Sequence, residues 1–211
     1  MNDNMLETLS STVADNRPVS GVSVQVEGNG NIVGSNVEKI ENVYNTQIVV
    51  KDSTGKRQRI DISFDRGKYN LFVIDEKKFE YDHFIVPIDA VFSEGTTDEL
   101  RDQFLPITEE KKEKLKGYPA VFVPVNKEFG ANANADDVVV FGKIRDITVQ
   151  ENGVLIEFYE TGYASKGDLY SISEQLGMGA PREKPEIKTV HWAIKEADLM
   201  VVLESVGKRF C

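Results

Sequence analysis

Val22, Val24 and Val26 alternate with Ser23, Gln25 and Glu27, a period of two that predicts a half-buried strand. Two further stretches, Gln47 to Lys51 and Arg57 to Phe64, flank Ser53-Thr54-Gly55 and predict a β-hairpin. Tyr69 to Asp75 and Phe79 to Phe92 continue the strand-rich run, with Asp75-Glu76-Lys77-Lys78 as the turn between them. Tyr118 to Val125 is almost wholly apolar and predicts a strand. Val138 to Phe141, Ile144 to Gln150 and Val154 to Tyr159 predict a meander whose turn is Glu151-Asn152-Gly153. A last strand is expected over Ile187 to Trp192.

Helical signals come later and are short. Thr97 to Phe104 and Thr108 to Leu115 read as two helices separated by Pro106 and closed by Gly117. Glutamates lead the second and lysines trail it, as the helix dipole favours. Leu169, Ile172 and Leu176 mark a third helix ending at Gly177, and Lys195 to Val206 a closing one. Met5, Leu6, Leu9 and Val13 predict a short helix in a loosely held N-terminal tail that ends before Pro18. Val37 to Tyr44 supports two readings. Its apolar residues lie at helical spacing after Ser35 and Glu38, which imitate a capping box, yet Ile, Val, Asn and Tyr are mediocre helix formers.

The expected fold class is therefore α+β: mainly antiparallel sheet with about four short helices, mostly in the second half. The organisation expected is a flexible tail over 1–18, a β-rich segment over 19–66 and an α+β domain over 67–211.

Between the first strand and the hairpin lies Gly28-Asn29-Gly30-Asn31-Ile32-Val33-Gly34-Ser35-Asn36. Glycine and asparagine tolerate the tight and positive-φ conformations that such a run demands. A dinucleotide fingerprint needs Gly-x-Gly-x-x-Gly between a strand and a helix, with an acidic residue about 20 positions on. Gly28 and Gly30 follow a strand, and Asp52 stands at a suitable distance to meet a ribose. Gly34, however, comes one position late, and the chain lacks strand–helix alternation. The competing reading is a turn-rich connector in which the asparagines bond local backbone while Ile32 and Val33 face an apolar surface.

The same run resembles the Gly-Asn-Gly-Asn-Ile-Val-Gly-x-Asn strings of bacterial conflict and signalling proteins, a likeness that covers residues 26 to 50. It implies modular assembly and carries no catalytic residue. Thr189-Val190-His191-Trp192-Ala193-Ile194-Lys195 followed by Asp198-Leu199 resembles the ending of an uncharacterised bacterial β-rich family, over residues 118 to 204, and implies no activity.

Charge and composition narrow the chemistry. The 35 acidic and 25 basic residues among 211 give a formal charge of −10, which opposes nucleic acid unless a basic patch is segregated. Lys111, Lys112, Lys114 and Lys116 are interleaved with Glu109, Glu110 and Glu113 and read as a solvated helix face. The single cysteine, Cys211, permits no internal disulfide and no cysteine-based zinc site, and the polar Met1 to Arg17 stretch has no signal-peptide core. With no apolar run of membrane-spanning length either, the expected location is the cytoplasm, away from membranes.

The histidines offer little catalysis. Adjacent strand residues face opposite sides, so Asp82 is not expected to orient His83. His191 and Trp192 are expected as structural anchors, His191 bonded to nearby backbone and Trp192 packed with Ile194, Leu199 and Leu203. Ser165 and Lys166 are neighbours rather than one helical turn apart, in a loop that reads as exposed. No metal and no cofactor is expected. The sequence thus points to a non-enzymatic interaction module that binds a protein partner or itself through edge strands around residues 22 to 50. The alternative is a nucleotide-binding enzyme or sensor using Gly28, Gly30 and Gly34 with Asp52.

Overall fold

The computed structural model describes residues 24–25, 32–33, 43–51, 57–75, 82–126, 135–179 and 186–207. The N-terminal helix, Gly28, Gly30, Gly34 and Asp52 all lie outside them. Two small sheets come first. β1 (Val24–Gln25) pairs antiparallel with β2 (Ile32–Val33), and β3 (Val43–Lys51) pairs antiparallel with β4 (Arg57–Asp65) from Val43↔Asp65 to Lys51↔Arg57.

The main sheet has six strands: β5 (Tyr69–Ile74), β6 (His83–Pro87), β7 (Pro119–Pro124), β8 (Val138–Gln150), β9 (Gly153–Ser165) and β10 (His191–Lys195). Their order across the sheet is β10-β5-β7-β8-β9-β6. All neighbours are antiparallel except β5 and β7. With that one parallel pair, the sheet is mainly antiparallel, as expected. The parallel pair is made possible by the long crossover through β6, α1 (Asp98–Phe104) and α2 (Glu109–Gly117). The fold is α+β, completed by α3 (Lys166–Ser171) and α4 (Leu199–Ser205).

Burial follows from alternation. Every residue of β5 is buried, with Tyr69, Leu71 and Val73 in one apolar cluster and Phe72 and Ile74 in another. The second cluster is the concave inner face. There Phe72 stacks on Phe122 at 5.2 Å between centroids and on Trp192 at 5.1 Å, and Phe122 meets Phe158 at 4.3 Å. Leu100 and Phe104 of α1 and Leu115 of α2 belong to the same cluster. The sheet also comes round on itself. Beyond β6 a 3-10 turn, Ile88–Ala90, leads to Val91, which bridges Trp192 of the opposite edge strand in parallel, while the Phe92 amide donates to the Trp192 carbonyl at 2.8 Å. The outer face is covered by Leu169, Tyr170, Leu176, Met178, Leu199, Met200 and Leu203, together with Ile62 and Phe64 of β4.

Several boundaries differ from expectation. Val138 to Phe141 and Ile144 to Gln150 are one strand, not two, because register shifts at Phe141/Gly142 and Ile144/Asp146 absorb the irregularity. At Gly142 a Cβ would collide with the Tyr159 carbonyl, so the polypeptides approach there only through glycine. β9 runs on to Ser165, and among the described residues 82–92 the strand is His83–Pro87. The last strand begins at His191 rather than Ile187. On either side of residue 66, Phe64 is fully buried in the same cluster as Tyr69 and Leu71.

Candidate functional site

The β3–β4 hairpin is anchored at one end and open at the other. Tyr44, Ile60, Ile62 and Phe64 seat it on the outer core cluster. Lys143 of β8 reaches across to it: its Nζ donates to the Ser63 carbonyl at 2.5 Å and sits 4.9 Å from the centre of the Phe64 ring. Burial pulls the Lys143 ammonium below its usual range. Toward the turn, Val49 is 57% exposed and Arg59 is exposed. Across the hairpin's solvent face Gln47 Nε2 donates to Asp61 Oδ1 at 2.7 Å.

Neither hairpin strand pairs with a third strand among the described residues. The two outer edges differ in character. Register puts Arg59, Asp61 and Asp65 of β4 on one face, whereas the sequence of β3 carries no charge from Val43 to Val50. Edge strands are normally protected by charge, so β4 has that protection and β3 lacks it.

Of the sequence candidates, Gly28, Gly30, Gly34 and Asp52 cannot be placed. The element that follows Gly28 and Gly30 is the strand β2, paired back on β1, where a dinucleotide fingerprint requires a helix. Trp192 is fully buried and His191 nearly so. Trp192 packs with Phe72, Phe92 and Ile194, while Leu199 and Leu203 lie in the cluster on the other face of the sheet, contrary to expectation. Strand alternation is the reason, as Trp192 and His191 face opposite ways.

Asp82 and His83 require a second correction. His83 Nδ1 and Asp82 Oδ1 are 2.8 Å apart. Asp82 stands in the turn before β6, so the alternation that would separate the two side chains does not yet apply. Arg145 Nη2 lies 3.3 Å from Asp82 and donates to Glu157 at 2.7 Å, forming a half-buried network of four charged or ionisable side chains. The hydrogen bond from His83, followed by the Arg145 charge, overcomes a small burial effect and holds Asp82 below its ordinary range. Arg145 was not identifiable beforehand, because only the β8–β9 register brings it to Glu157.

Ser165 and Lys166 are also not an exposed loop. Ser165 ends β9 and caps α3, its Oγ accepting from the Asp168 amide at 3.0 Å. Lys166 is fully buried, with Nζ 2.7 Å from Asp137 Oδ2. The Ser165 hydroxyl is thereby committed to the helix.

The densest internal polar cluster is one the sequence did not reveal. Glu186 bridges His191 Nε2, at 3.3 Å from Oε1, and Lys195 Nζ, which meets Oε2. His191 Nδ1 lies 2.9 Å from the Thr189 carbonyl, and Lys195 Nζ donates to the Gly177 carbonyl at 3.1 Å. Burial pushes the Glu186 carboxyl up, but His191 and Lys195 outweigh it and leave the group below its usual range. Gly95, at φ +64, passes so close that a Cβ would overlap the carboxylate. With His191 at 1% exposure and Lys195 at 6%, the cluster is closed to substrate and ties the 186–190 stretch to β10.

Among the described residues no group of three or more His, Cys, Asp or Glu side chains is arranged to hold a metal ion, and no helix is long and apolar enough to cross a membrane. Comparison with known proteins gives no relative: no family model, no curated protein and no solved structure matches this chain.

Proposed function

We propose that this protein is a non-enzymatic, cytoplasmic interaction module that binds by strand addition at the free edge of β3. The observation that carries the reading is the asymmetry of the hairpin. Its β4 edge is charged, its β3 edge is neutral over Val43 to Val50, and neither is paired among the described residues. Strand addition supplies affinity through main-chain hydrogen bonds, and the exposed Asn45, Gln47 and Val49 supply selectivity. A bacterial defence or signalling assembly is the setting supported by the likeness of Gly28 to Asn36 to connectors in such proteins.

The test substitutes exposed positions only. Asn45→Lys with Val49→Lys places charge on the unprotected strand, and Ser63→Lys places it on the protected one. In extracts of cells producing the full chain, size-exclusion chromatography is expected to show an assembly that the double variant loses and Ser63→Lys retains. Elution of the unaltered chain at the mass of a single copy would remove the reading.

A further inference from the structure

Resting on that reading, the geometry points to a second copy of this chain as the occupant of the β3 edge. The two β3 strands run antiparallel about a two-fold axis at Gln47, and the two hairpins form one four-stranded sheet.

Three observations lead there. The first is the shortage of strands. A two-stranded ribbon is marginal by itself in water, and Tyr44, Ile60, Ile62 and Phe64 tie this one to the core. Pairing with a second hairpin would supply the missing strands along the whole length of β3.

The second is charge. Each copy carries −10, so two copies associate only through a surface free of local repulsion. Antiparallel pairing about Gln47 opposes Tyr44 to Val50, Asn45 to Val49 and Thr46 to Ile48, all uncharged, and sends each Lys51 to an end, opposite Val43. Self-pairing of β4 about Asp61 would instead set the two Asp61 carboxylates face to face.

The third is closure. A β3-to-β4 contact between copies would be heterologous and could repeat without limit, whereas β3-to-β3 pairing is isologous and ends with one partner. It leaves the charged β4 strands at both margins of the new sheet, the arrangement that discourages further addition.

The axis makes a register-specific test possible. Residues directly opposed across paired strands have Cα atoms about 5 Å apart, within disulfide reach. In a Cys211→Ser background, Gln47→Cys is expected to form a covalent dimer on mild oxidation, whereas Asn45→Cys, which opposes Val49 rather than itself, is expected to stay reducible to one copy without a cross-link. Sedimentation of the purified unaltered chain is expected to give twice the mass of one chain, falling to one for the Asn45→Lys, Val49→Lys double variant. A single-copy mass at every concentration, or cross-linking at Asn45→Cys equal to that at Gln47→Cys, overturns the inference. If the purified chain is a single copy while cell extracts still show an assembly that the lysine pair abolishes, the partner is another protein. Strand addition then stands and self-pairing falls.

Discussion

Asn70 joins the last strand to the second helix: its Oδ1 accepts from Trp192 Nε1 at 3.1 Å while its Nδ2 donates to the Leu115 carbonyl at 2.9 Å. All three groups are inside the inner apolar cluster, and Asn70 has no measurable exposure. Replacing it with alanine strands an indole N–H away from water and leaves the Leu115 carbonyl with only the Tyr118 amide as donor. Asn70→Ala is expected to lower unfolding stability by about 3 kcal/mol, read as a shifted denaturant midpoint at unchanged slope. Leucine at the same position fills the volume but leaves the indole N–H unpaired, so it should rescue little of the loss.

Glu186 gives the fold an acid limb. Its folded-state pKa lies below the ordinary value of 4.5, so its contribution is fully present above that value and is lost as pH falls through the lowered one. Stability measured from pH 7 downwards should therefore decline more steeply in the unaltered chain than in Glu186→Gln over that acid window. The variant should start lower at pH 7, because Lys195 loses its buried counter-charge. Parallel curves for the two proteins would show that the bridge adds nothing.

Gly95 is constrained twice, by φ +64 and by the carboxylate beside it. Alanine there must either move Glu186 off its two partners or shift the 92–96 stretch. The expected loss is about 3 kcal/mol, among the largest for any single substitution in this chain. Thermal unfolding checks it, with Gly67→Ala as a comparison, since that glycine also has positive φ but open space around its Cα.

Thr161 predicts a gain. Its Oγ1 is buried and has no hydrogen-bond partner among the described residues, and Thr161 falls between the β8–β9 pairs Gly142↔Glu160 and Phe141↔Gly162. Valine keeps the shape and removes the unsatisfied hydroxyl. Thr161→Val is expected to raise stability by about 1 kcal/mol, visible as a higher melting temperature.

The parts of the fold that could be read from the sequence are those where a local pattern mirrors a local cause. The β3–β4 hairpin alternates because one face rests on the core, and the starts of α1 and α2 are marked by Thr97 and Thr108, whose hydroxyls accept from Leu100 and Lys111. The apolar runs Leu71–Ile74 and Pro119–Pro124 signalled burial on both faces, as parallel neighbours require, but no local feature fixes strand direction. Lys143 falls in the gap between the two strands expected over Val138 to Phe141 and Ile144 to Gln150. In three dimensions it lies over Phe64, a contact across 79 positions that no spacing rule contains. Glu186 belongs to an irregular stretch, so its meeting with His191 and Lys195 had no periodic signal at all.

The bridge from Val91 to Trp192 has a consequence for biosynthesis. Translation delivers β5 to β9 long before β10, and the indole that stacks on Phe72 and Phe92 arrives with that final strand. Until it emerges from the ribosome, the aromatic layer is open along the flank of β5 and Asn70 has no indole to receive. Completion of the sheet is therefore a late, long-range event, of the kind that makes topologies rich in distant pairings slow to mature. A nascent chain halted before His191 would display that uncovered flank of β5 as a natural landing place for a chaperone.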